Sequence, residues 1–348
     1  MKARKLMPLL AAALVAVVAL AVAGTSSAKS DAAGATAATP LATAATPLKI
    51  ALVTDIGGLD DRSFNFLANK GLSDAKKRLG VQGRVYISKS NADYIPNLSA
   101  AARQYRADLV VGVGFLMAEQ IAAVAKRYPN TKFAIVDYAW AGLKGKPKNV
   151  RGLIFAEQEA GYLAGVAAAT VSRSNVIGSV GGLKIPPVDA FIAGYRAGAR
   201  ATKRNIRHLN GYSQDFVAQD KCKEVATNQI QEGADVIFQV AGQCGLGALS
   251  AARENSVWGV GVDADQGYIG PHVLTSAQKK VDVAIYTTIA QVKNGTFRGG
   301  ANTLLNVKNR GVGYGKISTR APKTLKAKLD AVAKRIAAGQ IKIPRTIK

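Results

Sequence analysis

The chain has 348 residues and carries 47 Lys and Arg against 22 Asp and Glu, a formal net charge of +25, with 48% hydrophobic residues. That apolar share belongs to a globular protein rather than a disordered one, and the length admits one large domain or two ordinary ones. Two cysteines and two histidines, His208 and His272, exclude a disulfide-stapled mini-fold and leave almost nothing for a zinc site, so neither metal nor cofactor is expected.

Lys2, Arg4 and Lys5 precede an unbroken apolar run over residues 9–23. A run of that length is short for a bilayer span, which needs roughly 20 apolar residues. With small residues at Ser26 and Ala28, it reads as a secretory signal over 1–28, cut after Ala28 or after Ala23. An uncleaved anchor is the alternative. Residues 29–47 are rich in Ala, Thr, Ser and Pro and contain AATPL twice, which reads as a flexible spacer. No cysteine occurs before Cys222, so the expectation is an exported protein, periplasmic or associated with the cell envelope, without a lipid anchor.

Apolar strands and amphipathic helices then alternate. Strands are predicted at 48–53, 85–88, 109–113, 133–137, 176–180, 208–212, 236–240 and 258–262. Helices are predicted at 63–79, 95–105, 118–128, 158–171, 188–202, 221–231, 246–254 and 322–338. Near-continuous apolar strands separated by helices indicate parallel sheets covered on both faces. A body of this length divides into two such domains. The fold class is α/β and bilobal.

In open parallel sheets, ligands bind beyond the carboxyl ends of the strands. That rule selects Asp55 with Gly57 and Gly58, Gly114 and Phe115, Asp137, Gly181 and Gly182, Gln243, and Asp263. A carboxylate there accepts hydrogen bonds from ligand O–H or N–H groups, or caps the next helix, as Asp61 or Ser63 could. Three aspartates at one edge favour a binding cleft. The sequence holds no G-x-S-x-G, H-E-x-x-H, G-x-x-x-x-G-K-[ST] or G-x-G-x-x-G, and without these an enzyme is not expected.

The segment VTDIGGLDDRSFN at 53–65 resembles the opening motif of the basic membrane protein family, typified by purine-nucleoside receptors of ABC importers. GVGF at 112–115, FAIVDY at 133–138, FAEQEAGYLAG at 155–165 and GSVGG at 178–182 follow in the family's order. So do GADVIFQVAG at 233–242, GVGVDADQ at 259–266, LTSAQKKVD at 274–282 and GQIKIP at 339–344. The resemblance implies a periplasmic binding protein of type I, two doubly wound lobes joined by a hinge that the chain crosses three times. Lobe 1 is expected over 49–153 plus 273–302, and lobe 2 over 154–272 plus 303–348.

The same resemblance implies that a nucleoside, a purine nucleoside foremost, sits between aromatic rings while carboxylates and a lysine hold it. Carried over motif by motif, the ligand-binding set is Asp55, Phe64, Asn65, Asp137, Phe216, Asp263 and Lys279. Phe216 is placed through KEVA at 223–226, since YSQDFVAQDKC departs from the family's usual loop. The chemistry agrees: bases stack on Phe rings, each stack contributing roughly 1–3 kcal/mol. Asp263 and Lys279 could bracket a ribose diol, leaving Asp137 or Asn65 for the base edge. Phe64 and Phe216 could instead be core residues.

The implied partners are the nucleoside and ABC permease subunits, with the protein a monomer and no nucleic acid involved. A ligand-sensing partner of a membrane receptor, or a different small solute, is the alternative. Cys222 and Cys244 are expected to form a structural disulfide, against the alternative of two buried thiols. Residues 310–348 hold eleven Lys or Arg and one acidic residue, Asp330. They read as a solvated helix or as a peripheral contact with anionic envelope material, and salt-extractable cell association would separate the two.

Overall fold

The computed structural model describes residues 46–347. The export signal expected over 1–28 and the spacer expected over 29–47, apart from its last two residues, lie outside the described residues.

The first half runs β1 (Lys49–Val53), α1 (Phe64–Leu79), β2 (Gln82–Tyr86), α2 (Tyr94–Arg103), β3 (Leu109–Gly112), α3 (Ala118–Arg127), β4 (Lys132–Val136) and β5 (Val150–Phe155). The second repeats the scheme with α4 (Glu157–Val171), β6 (Val176–Gly181), α5 (Pro186–Thr202), β7 (Arg207–Tyr212), α6 (Gln219–Gln231), β8 (Val236–Val240), α7 (Gly245–Glu254), β9 (Trp258–Asp263) and β10 (Val273–Lys279). Then come α8 (Val281–Lys293), β11 (Ala301–Leu305), β12 (Val312–Tyr314) and α9 (Leu325–Ala337).

These strands form two six-stranded sheets, ordered β11-β5-β4-β3-β1-β2 and β12-β10-β9-β8-β6-β7. The pairings within them are parallel, apart from β12 against β10. Helices cover both faces, so β3 and β8 are buried at every residue; β3 reads as an apolar run, and β8 is interrupted only by Gln239, whose Nε2 donates to Gln266 Oε1 at 2.7 Å. The chain passes between the sheets three times: after β5, after β10 and after β11.

The lobe boundary expected at 273 is displaced. Val273–Lys279 pairs with β9 in the second sheet, so the chain leaves that sheet only at Lys280. Likewise β11 stays in the first sheet through Leu305, beyond the expected boundary at 302. Strand β5 also keeps residues 154 and 155 in the first sheet. The strand expected at 85–88 lies at Gln82–Tyr86, because this edge strand is only half-buried and its polar QGR stretch carries no apolar signal.

Helices α4 and α5 touch backbone to backbone. A methyl group at Gly161 would lie 2.1 Å from the Phe191 carbonyl oxygen, and one at Gly165 would lie 1.9 Å from that of Tyr195. Reciprocally, Gly194 faces the Gln158 carbonyl at 2.1 Å and Gly198 that of Tyr162 at 2.1 Å. A four-residue spacing stacks each glycine pair on one helix face. The first turns of both helices end at the cleft described next.

Candidate functional site

Residues that follow the carboxyl ends of strands in both sheets converge on one cleft. From the first half come Asp55 and Gly57 after β1, Phe64 and Asn65 at the start of α1, Phe115 after β3, and Asp137 after β4. The second half supplies Phe191 on α5, Phe216 after β7, Gln243 after β8, Asp263 at the end of β9, and Lys279 at the end of β10. All seven residues selected from the sequence line this single space.

The DDRSFN segment shapes the first wall. Asp61 caps α1 by accepting from the N–H groups of Ser63 (3.0 Å), Asn65 (2.7 Å) and Phe66 (2.9 Å). Ser63 is thereby free to donate to Asp263 Oδ2 across the cleft at 2.7 Å. Asn65 is in the cleft wall, but its amide is committed: Oδ1 accepts from the Asp55 N–H at 3.0 Å, and Nδ2 donates to the Asp55 and Ile56 carbonyls at 3.4 and 3.3 Å. It holds the β1 loop with both N–H donors engaged, so a contact with a base edge would fall to the second lone pair of Oδ1.

Asp55 accepts from the Tyr94 hydroxyl and from the Ile56 N–H. Its second oxygen would collide with any side chain at Gly114, whose φ of +112° also demands glycine. Burial pushes the Asp55 carboxyl up to about 6 against the pull of these donors. Asp137 and Asp263 both adopt left-handed backbone, with φ of 69° and 59°. Aspartate tolerates this conformation better than most residues, and here it turns two carboxylates from opposite sheets into one space.

Lys279 joins them. Its Nζ lies 2.6 Å from Asp137 Oδ2 and 3.7 Å from Glu157 Oε1. The rings of Phe64, Phe155 and Phe191 surround the ammonium at 4.9, 5.1 and 5.7 Å. Burial pulls this lysine down, but Asp137, Glu157 and Asp263 together outweigh it and hold it charged. Glu157 also pairs with Arg345 at 2.9 Å. Burial lifts Asp137, lifts Asp263 to about 6 and lifts Glu157 to about 7, each against the attraction of Lys279. Asp137 Oδ1 is buried without a hydrogen-bond partner.

The raised carboxyls fix a sign. An unfolded Asp or Glu titrates near 4, so between about pH 4 and pH 7 these carboxyls hold more protons in the folded chain than in the unfolded one, and they outnumber His208, which burial pulls down to about 4 and which acts in the opposite sense. Stability therefore falls as pH rises through this window, by about 1.4 kcal/mol per unit of upward shift. The unliganded protein is expected to melt several degrees higher at pH 5 than at pH 8. A melting temperature that rises over this interval would contradict the assignment, and Asp55→Asn should flatten the slope.

Phe115, selected by the strand-end rule, lies in the cleft wall, whereas Glu157, Phe191 and Arg345 were missed as site residues by sequence reasoning. Glu157 stands two residues beyond β5, a strand that was not predicted, so the strand-end rule had nothing to act on. Cys222 and Cys244 are bonded, with Cα atoms 5.5 Å apart. The basic residues of 310–345 are exposed, and α9 buries Leu325, Leu329 and Ile336 on its inner side. Among the described residues, no group of three or more His, Cys, Asp or Glu is placed to hold a metal ion.

The family model described as "ABC transporter substrate-binding protein PnrA-like" matches residues 48–348. The chain belongs to this family. A nucleoside-binding protein of an ABC transporter from Lactococcus lactis, BmpA, is 36% identical over 323 residues, covering 85% of this chain and 89% of the relative. The CD4+ T-cell-stimulating antigen of Listeria monocytogenes is 34% identical over 317 residues, with 85% and 87% covered. A solute-binding protein of an ABC transporter system from Aeropyrum pernix superposes with a TM-score of 0.78 at 27% identity, covering 87% of this chain and 94% of the other. One from Conexibacter woesei gives 0.70 at 26%, with 86% and 100% covered.

The two-lobed fold is thus that of periplasmic binding proteins of type I, and members of the PnrA-like family bind substrates for transport rather than transform them. No helix among the described residues is long and apolar enough to cross a membrane. A family relative from Pyrococcus horikoshii, 36% identical over 281 residues with 77% of this chain and 68% of the relative covered, is named a lipoprotein. The expectation of a protein without a lipid anchor therefore gains no support from its relatives.

Proposed function

We propose that the cleft binds a nucleoside, a purine nucleoside foremost, and presents it to the permease subunits of an importer. The observation that carries this reading is the junction of Lys279 with Asp137 and Asp263, where Asp137 Oδ1 is buried without a partner and the phenyl walls lie close by. A vicinal diol fits it: two hydroxyls donate to the carboxylates while their oxygens accept from the ammonium. Phe64, Phe115 and Phe216 offer flat apolar surface for the base.

Closure follows from the same contacts. Ser63 with Asp263, and Asp137 with Lys279, already join groups from the two halves. A ligand that bonds to both halves stabilises the closed arrangement, and only such differential contact shifts the equilibrium. The carboxylates also select by charge. A 5′-phosphate would enter a space lined by Asp55, Asp61, Asp137 and Asp263, so nucleosides should bind and their monophosphates should not.

The test is a thermal-shift and calorimetric screen against adenosine, guanosine, inosine and uridine, their 5′-monophosphates, ribose and amino acids. A ligand bound only by the folded state at a hundred times Kd adds about 2.7 kcal/mol of stability. Binding of nucleosides alone supports the reading, and a response confined to sugars or amino acids overturns it. Asp263→Ala is expected to weaken nucleoside binding more than tenfold; unchanged affinity would remove that residue from the site. The exposed basic residues of 310–345 suit a peripheral contact with anionic envelope material, for which release by salt is the check.

A further inference from the structure

We infer that the Cys222–Cys244 disulfide is a positioning device for Phe216, and through it a determinant of ligand affinity. This rests on the reading of Phe216 as a wall for the nucleoside base. The segment between β7 and α6 carries Phe216 into the cleft without regular secondary structure. Its ring lies against Gly182, where a methyl group would come within 2.3 Å of the ring edge.

The start of the segment is bonded to the end of β6, through the Ser213 and Gln214 N–H groups to the Gly181 and Gly182 carbonyls at 2.9 and 3.1 Å, and the rest leans on the turn that opens α7. The Cys244 N–H donates to the Phe216 carbonyl at 3.0 Å, and Cys244 Sγ lies 3.4 Å from Ser213 Oγ at the start of the segment. Gly247 lets the α7 turn approach α6 so closely that a methyl there would lie 1.8 Å from the Gln219 carbonyl oxygen. Cys222 in the first turn of α6 is then bonded to Cys244. The Phe216 segment is thus tied to one residue at its beginning, its middle and its end.

The packing around the bond explains why a covalent tie is useful there. The buried cluster holding both cysteines consists of Val180, Ile237, six alanines and the two cysteines, with Val176, Leu209, Val225, Ile230 and Val257 partly buried against it. Alanine buries little apolar area, so this cluster contributes less cohesion per residue than one built on Leu or Phe. The salt bridge between Lys221 and Asp215, at 2.8 Å, is solvent-exposed on the lysine side and screened. Without the bond, the α6 start and the α7 turn are held by small side chains and a few hydrogen bonds, and Phe216 moves with them.

The test is a double-mutant cycle read with adenosine and guanosine by calorimetry. Cys222→Ala with Cys244→Ala should bind five- to tenfold more weakly than the parent. In a Phe216→Ala background, the same pair should change affinity less than twofold. Equal losses in both backgrounds, or none in the first, overturn the inference. If the alanine pair does not fold, Cys222→Val with Cys244→Ala restores volume without the bond and is expected to behave the same way. Hydrogen exchange of the unliganded protein gives a readout independent of the ligand. The amides of 216–218 and of Cys244 should exchange at least tenfold faster without the disulfide, while α4 and α5 are unchanged. Unaltered exchange overturns the inference whatever the ligand is. Faster exchange in a protein whose parent binds no nucleoside supports the positioning role and rejects the nucleoside reading instead.

Discussion

Lys279→Met is expected to abolish nucleoside binding and to lower the unfolding free energy by about 3–5 kcal/mol, the usual cost of removing one partner from a buried ion pair. The side chain is 3% exposed and is shared by Asp137 and Glu157, with Asp263 adding its field. Methionine keeps most of the length and still packs on Phe64, Phe155 and Phe191. The loss is therefore that of the charge, not of the volume. Carboxylates deprived of their cation respond by holding protons, so their titration moves further up. The damage should be smaller at pH 5, where more of them hold protons, than at pH 8, where they must ionise without the ammonium. Denaturant unfolding at the two pH values measures both the cost and its direction. A variant as stable as the parent at pH 8 would show that the ammonium is not what allows these acids to be buried.

The cleft was legible from sequence because its residues stand at strand ends or at the start of a helix. Asp55, Asp137 and Asp263 each follow an apolar run whose end is visible, and the parallel-sheet rule then places them at one edge. Residues whose roles depend on distant partners were not legible in this way. Nothing in the local sequence distinguishes Asn65, which clamps the Asp55 and Ile56 backbone, from an asparagine free to meet a ligand. Glu157 and Arg345 are 188 positions apart and become neighbours only through the fold.

Strand β10 escaped prediction for a reason that can be named. Strand β10 reads VLTSAQK, and its polar residues are silent in an apolar pattern. They are nonetheless buried because Thr275 donates to the Gly315 carbonyl at 3.0 Å and Ser276 Oγ accepts from the Gln266 N–H at 3.0 Å. Both partners belong to other segments, so burial here is decided by tertiary pairing. That also explains the displaced lobe boundary. A strand not recognised as one cannot be assigned to its sheet, and Val273 looked like the place where the chain leaves.

Gly165→Leu is expected to cost more than 4 kcal/mol, or to prevent folding at 37 °C, although the residue touches no ligand. A Cβ at this position would lie 1.9 Å from the Tyr195 carbonyl oxygen and 2.8 Å from the Ala199 backbone nitrogen. Both obstacles are main-chain atoms of α5, so no rotamer change relieves the clash, and ordinary overpacking costs of about 1–3 kcal/mol set only a lower bound. Separating the helices would also withdraw the glycines at 161, 194 and 198 from their opposite carbonyls. The strain does not stay local. Helix α4 begins at Glu157 and α5 presents Phe191 to Lys279, so parting the two helices would displace groups that face the cleft. Gly165→Ala brings the same Cβ against the same main-chain atoms without the further bulk of leucine, so it should carry most of the cost, melt well below the parent, and weaken nucleoside binding by displacing Phe191. Chemical denaturation and calorimetry on the alanine variant would check both effects. A variant with the parent's stability would mean that α4 and α5 can part without cost, and that the glycine pairs do not set this geometry.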